Sequence, residues 1–135
     1  IGKAAKPRVG NDITVVTLSY TVELVLQAAK EVEIDGIDVE VIDLRSIVPL
    51  DIETVIESVS KTNRLLVVDE DYLSFGLSGE IITRVVESIG GSKLKQVQRH
   101  AVPDTPIPAA ITLEEAIVPN CLSITRILRT MSKGS

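Results

Sequence analysis

Apolar positions along this chain alternate between two rhythms, short unbroken runs and longer stretches spaced at helical intervals. Ile13-Thr14-Val15-Val16-Thr17-Leu18 is a β-branched run without polar alternation, the signature of a strand covered on both faces. A Gly10-Asn11-Asp12 turn before it would fold back an edge strand within Gly2 to Val9, where Pro7 is tolerated because an edge strand has one free side. Val22, Val25, Leu26, Ala29 and Val32 then recur at helical spacing. Glu23, Gln27, Lys30 and Glu31 take the opposite face, so the segment is an amphipathic helix lying on a sheet, closed by Asp35-Gly36.

The same unit repeats twice. Asp38 to Asp43 predicts a strand, and Asp51 caps a helix burying Ile52, Val55, Ile56 and Val59, with Pro49 in the connecting loop. Arg64 to Asp69 predicts the next strand, followed by a helix with Ile81, Ile82, Val85, Val86 and Ile89 that Gly90-Gly91 stops. Lys93 to Arg99 is a more polar strand, suited to a sheet edge. The prolines at 103, 106 and 108 exclude regular helix beyond it. Thr112-Leu113-Glu114-Glu115 opens a short helix that Pro119 ends. Ser123 caps a last helix burying Ile124, Ile127, Leu128 and Met131, with Arg126, Arg129 and Lys133 placed to suit its C-terminal dipole. Strands alternating with helices require right-handed crossovers, and therefore an α/β fold: a three-layer α/β/α sandwich around a mostly parallel sheet.

Composition narrows the function. The 135 residues suit one domain. The aromatics are Tyr20, Tyr72 and Phe75 alone, and a net charge of −5 with no basic and aromatic cluster excludes nucleic acid as a natural partner. Cys121 is the sole cysteine and His100 the sole histidine, so neither an internal disulfide nor a Cys/His zinc set forms. Neither a membrane-length apolar run nor a signal-peptide core is present. The chain reads as intracellular, not secreted, and as part of something larger.

Ligands in such sheets sit beyond the carboxyl ends of the strands. After the first strand of the parallel set stands Leu18-Ser19-Tyr20-Thr21, without the glycines a dinucleotide needs. Gly76-Leu77-Ser78-Gly79-Glu80 resembles a nucleophile elbow, but Glu80 occupies the place of a required glycine, and Ser78 reads as a helix cap. Asp69-Glu70-Asp71 is either a solvated loop or a place for Mg²⁺. His100 has neither a nucleophile nor an orienting carboxylate fixed beside it by sequence, and it reads as a surface or interface residue. Two further readings stay open: a small anionic metabolite held by the Ser78-Gly79 helix start and Asp43 to Arg45, and a hydrolase or transferase with Ser78 or Cys121 as nucleophile.

Taken together, Asp38 to Pro49, Leu50-Asp51-Ile52-Glu53-Thr54, Asp69 to Glu80 and Asp104 to Pro108 resemble the transketolase C-terminal domain family. Within it the likeness is to the beta subunit of thiamine-dependent 2-oxo acid dehydrogenases of pyruvate or branched-chain type. Ala109, where many relatives carry an aromatic, and Asp69-Glu70, where pyruvate-type members often show His-Glu, depart from the pattern and leave the 2-oxo acid open.

The resemblance implies a mixed five-stranded sheet with an antiparallel edge strand, and residues 1–135 as one transketolase C-terminal-like domain of a longer subunit. It implies that thiamine diphosphate and Mg²⁺ belong to the parent complex, between two other domains, so that this domain holds no catalytic, cofactor or metal residue of its own. The expected partners are a second beta subunit, an alpha subunit and a lipoyl acyltransferase, with no membrane. The compartment would be the cytoplasm in a bacterium, or the mitochondrial matrix or plastid in a eukaryote. Asp69, Glu70, Asp71, Tyr72, Phe75, Gly76, Ser78, Gly79 and Glu80, with Asp104, Thr105, Pro106 and Pro108, are the expected interface residues. Tyr72 and Phe75 would be its aromatic anchors.

Overall fold

The computed structural model describes residues 3–18, 21–45, 50–72, 77–102 and 119–133. In chain order these form strands β1 (Ala5–Arg8) and β2 (Ile13–Thr17), helix α1 (Thr21–Val32), strand β3 (Val39–Asp43), helix α2 (Ile52–Thr62) and strand β4 (Arg64–Tyr72). Helix α3 (Leu77–Ile89), strand β5 (Gln96–Val102) and helix α4 (Cys121–Lys133) complete them. The five strands make one mixed sheet in the order β1-β3-β2-β4-β5. β1 runs antiparallel to β3, and all other pairs are parallel.

That order follows from crossover handedness. The step from β2 to β3 goes one way across the sheet, whereas β3 to β4 goes back past β2, and β4 to β5 continues outward. Right-handed connections in opposite directions must pass over opposite faces. α1 therefore lies on one face, with α2 and α3 on the other. α4 completes the first face, where Ile124, Leu128 and Met131 join Val25, Ala28, Ala29 and Val32 of α1 over Ile13, Val15, Val39, Val41, Leu66 and Val68. On the second face, Val55, Val59, Ile81 and Val85 cover Val16, Ile42, Leu65 and Val67. Because side chains alternate across a strand, the two residue sets interleave, and β2 is buried at every position. The expected three layers and antiparallel edge strand are both present.

Asp51 caps α2, its carboxylate accepting from the Thr54 N–H at 3.2 Å; its other oxygen accepts from the Ala4 N–H at 2.9 Å, tying β1 to the helix start. Several boundaries differ from expectation. β4 does not end at Asp69 but continues through Glu70, Asp71 and Tyr72, with a register irregularity against β5 between Val68 and Tyr72. The acidic triplet thus lies on a bulged strand and not in a loop. β5 starts at Gln96, because Lys93 to Lys95 form a turn in which the Lys95 N–H reaches the Asn63 carbonyl at 2.8 Å. Ser78 is the second residue of α3 and not its cap.

Ser123 is not the cap of the last helix either. Asn120 Oδ1 accepts from the Ser123 N–H at 2.9 Å, and Ser123 Oγ accepts from the Asn120 N–H at 3.0 Å. This reciprocal pair starts the helix three residues earlier, with Asn120 in the cap position. In the resulting phase Thr125 is buried and Ile127 only half-buried. Of its basic residues, Arg129 pairs with Asp35 at 2.8 Å. The expected helix from Thr112, and Pro49, Tyr20 and Ala109, lie outside the described residues.

One feature of the second face had no sequence signal. Glu40, in mid-strand on β3, is 0% exposed. Its carboxylate meets Lys61 Nζ at 2.6 Å and the Gly10 N–H at 3.2 Å, with Lys6 Nζ at 3.8 Å. Beside it Thr14 Oγ1 lies 2.7 Å from both Ser58 Oγ and Thr62 Oγ1. Gly10 allows this closeness: a Cβ there would stand 2.5 Å from the Val39 carbonyl carbon. Burial raises the Glu40 pKa, but the Lys61, Ser58 and Gly10 hydrogen bonds and the Lys6 charge together outweigh it, leaving the carboxyl below its ordinary range.

Candidate functional site

The chain crosses the sheet in one direction from β2 to β3 and in the other from β3 to β4, so the order switches between β2 and β4, and a crevice at the carboxyl ends of those strands is where such folds place ligands. Here that crevice is lined by Thr17 and Leu18 from β2, Val68 and Asp69 from β4, Leu44 after β3 and Ile81 of α3. Asp69 is 7% exposed, held there because β4 runs on past it. Thr17 and Thr21 link their hydroxyls at 2.5 Å, and Thr21 also donates to the Leu18 carbonyl, so side chains tie the end of β2 to the first residue of α1. The cavity among these residues measures about 10 Å³, room for a single water.

Asp43 ends β3 and accepts from the Arg45 N–H at 3.1 Å, and Arg45 adopts φ 61°. Its guanidinium stands 4.0 Å from Asp43 and is 67% exposed, so the Asp43 to Arg45 segment holds its own charges together. Gly79 faces β5: a Cβ on it would lie 3.1 Å from Arg99 Nη1. Gly79, Ile82, Thr83, Val97, Gln98 and Arg99 line a shallow groove of about 370 Å³ between α3 and β5. Glu80 is paired with Arg84 one turn along α3 at 3.6 Å.

His100 does have a hydroxyl beside it, which sequence spacing did not reveal. On β5 it faces the α1/α4 side, and its Nε2 lies 2.7 Å from Ser123 Oγ in the first turn of α4. Burial pushes its pKa down, so the ring is neutral at pH 7. Ser123 Oγ already accepts from the Asn120 N–H and lies 2.9 Å from the Asn120 carbonyl. The hydroxyl is therefore committed to the helix cap, and the contact ties β5 to α4 without activating a nucleophile. Burial and the neighbouring Glu31 carboxylate push the Cys121 thiol pKa up, which keeps it protonated and weakly nucleophilic.

Of the expected interface residues, the structure places Asp69 in the crevice, Gly79 at the α3/β5 groove and Glu80 on exposed α3. The backbones of Glu70, Asp71 and Tyr72 continue β4, and that of Ser78 lies in α3. Phe75, Gly76, Asp104, Thr105, Pro106 and Pro108 lie outside the described residues. Among the described residues there is no group of three or more His, Cys, Asp or Glu side chains able to hold a metal ion, and no helix long and apolar enough to cross a membrane.

The family model described as transketolase, C-terminal domain, matches residues 2–124. Among curated proteins, the chain is 42% identical over 124 residues to the pyruvate dehydrogenase E1 component subunit beta of Rhizobium meliloti, covering 92% of this chain and 27% of that protein. It is 44% identical over 126 residues to the mitochondrial counterpart of Pisum sativum, covering 93% and 35%. The acetoin:2,6-dichlorophenolindophenol oxidoreductase subunit beta of Cupriavidus necator is 35% identical over 133 residues, covering 98% and 39%. The chain thus spans between 27% and 39% of the length of these relatives. Among solved structures, a split gene transketolase in an inactive beta4 tetramer superposes with TM-score 0.80 at 24% identity, over 97% of this chain and 41% of that one. At that identity the likeness is one of fold.

Proposed function

The chain belongs to the transketolase C-terminal domain family, and from that premise we propose that it is the assembly and docking domain of the beta subunit of a 2-oxo acid dehydrogenase decarboxylase component. The observation that carries this reading is identity of 42% and 44% to two pyruvate dehydrogenase E1 beta subunits across more than nine tenths of the chain.

In this reading residues 1–135 are one domain of a longer subunit that pairs with a second beta subunit and an alpha subunit. Thiamine diphosphate and Mg²⁺ serve the parent enzyme. The parent oxidatively decarboxylates a 2-oxo acid and acylates a lipoyl domain, in the cytoplasm of a bacterium or in a mitochondrion or plastid. The contact surface is the segment from Asp69 to Glu80 together with Asp104 to Pro108, with Tyr72 and Phe75 as anchors.

The test replaces Tyr72 and Phe75 by Ala in the complete beta subunit co-expressed with its alpha partner. Loss of the heterotetramer on sedimentation, or loss of acyltransferase capture, is the expected result. Intact assembly and undiminished capture would sink the anchoring role. Turnover of acetoin in preference to any 2-oxo acid by the intact enzyme would reassign the substrate.

A further inference from the structure

Strand β1 is held by polar ties more than by apolar contact. Lys6 and Pro7 are exposed, and Val9 just after the strand is 69% exposed. Its ladder with β3 is thin as well. The pairs are Ala5 with Asp43 and Arg8 with Val41, with an irregularity of register between them, and Pro7 has no amide to donate. Three carboxylates on three other elements supply the ties. Asp51 at the start of α2 accepts from the Ala4 N–H at 2.9 Å. Glu40 of β3 accepts from the Gly10 N–H at 3.2 Å and stands 3.8 Å from Lys6 Nζ. Glu33, in the short 3₁₀ turn after α1, pairs with Arg8. Arg8 holds the Glu33 carboxyl below its ordinary range, and Thr54 with the Ala4 N–H does the same for Asp51. The chain has net charge −5, yet residues 1–11 carry Lys3, Lys6 and Arg8 and no acidic residue, so a cationic segment lies against an acidic body.

We propose that β1 is a releasable strap: residues 3–10 leave the edge of β3 together, as one unit, while the four parallel strands and their helices stay folded. The hinge is Gly10-Asn11. Beyond it the turn is pinned to the start of β3, since the Asn11 N–H and Nδ2 donate to Asp38 Oδ2 at 3.0 and 3.3 Å, and the Asp38 N–H donates to Asp12 Oδ2 at 2.7 Å. Opening gives up little apolar burial, and local openings of that kind lie well below the global unfolding free energy. It also relieves a standing penalty. Glu40 Oε2 is buried without a hydrogen-bond partner, and withdrawal of Lys6 and Gly10 lets water reach it, while Lys61 stays paired with the other oxygen at 2.6 Å. Release bares the outer backbone edge of β3, from Val39 to Asp43. The closed strap is thus the cover that keeps this edge from pairing with another chain.

The experiment follows native-state hydrogen exchange of the ¹⁵N-labelled chain. The Ala4 and Gly10 amides, bonded to Asp51 and Glu40, report the two ends of the strap. Both are expected to exchange at least about tenfold faster than the amides of residues 13–17, and with little dependence on urea, as for an opening that exposes little surface. In E33Q, which touches neither reporter, both rates rise together by about two- to fivefold, the range of one exposed ion pair, while those of residues 13–17 stay as they were. Acceleration at one end alone overturns the proposal, because the strand would then fray piecewise. So does an unchanged rate at both ends. A rise at residues 13–17 equal to that at Ala4 and Gly10 overturns it too, since β1 would then open only with the whole fold.

Discussion

Removing the Lys61 ammonium tests what holds a charge inside this sheet. Glu40 is 0% exposed, and one of its oxygens, Oε2, has no hydrogen-bond partner. The other oxygen depends on Lys61 at 2.6 Å and the Gly10 N–H at 3.2 Å. Breaking a buried ion pair from one side costs about 3–5 kcal/mol, because the remaining charge stays desolvated. Lys61 is 39% exposed and Lys6 waits at 3.8 Å, so the lower end applies, about 3 kcal/mol for Lys61→Met.

With a urea m-value of about 1.5 kcal/mol per molar, the unfolding midpoint, followed by circular dichroism, drops by about 2 M. The double variant E40Q/K61M removes both charges and should recover at least about 1 kcal/mol of that loss. The sign with pH follows from the depressed Glu40 pKa: its contribution is complete above the ordinary carboxylate value of 4.5 and disappears as pH falls through the lower folded value. A Lys61→Met cost below about 0.5 kcal/mol, the range of an exposed pair, would refute this reasoning.

Three other perturbations have defined outcomes. Gly10→Ala places a methyl 2.5 Å from the Val39 backbone, which cannot rotate away, and a loss of about 1–3 kcal/mol is expected in thermal unfolding; a neutral result would mean the turn is free to move. Asp51→Ala deprives Thr54 and Ala4 of their acceptor and should cost about 1–2 kcal/mol, read from the same transition, with Asp51→Asn recovering part of it. His100 has its pKa lowered by burial from 6.5. The unfolded chain therefore binds the proton more readily, and stability present above pH 6.5 is lost progressively below it. His100→Gln should remove that part of the slope, and an unchanged slope between pH 6.5 and 5 would show that the ring does not titrate there.

The layers were legible from residue pattern because burial dictates it. The β-branched run at 13–17 and the apolar run at 65–68 mark strands covered on both sides. Helical spacing of Val25, Ala29 and Val32 marks the face that covers them, and Asp51 three residues before Thr54 announces its own helix. These signals are local, each needing only neighbours within a few turns of chain.

What escaped the sequence depends on meetings between distant residues. Glu40 and Lys61 are separated by 21 positions, His100 and Ser123 by 23, and Gly79 and Arg99 by 20. Nothing in their spacing encodes contact. Whether Asp69 is solvated or buried turned on β4 continuing past it, and which strand Gly79 approaches turned on the lateral position of α3. Both are decided by how the sheet twists and which strand each helix covers. The sequence by itself determined which segments form strands and helices and which faces are apolar, since those follow from the periodicity of burial. Only the tertiary structure decided which polar groups meet between layers, because such contacts are fixed by strand order and register and not by distance along the chain.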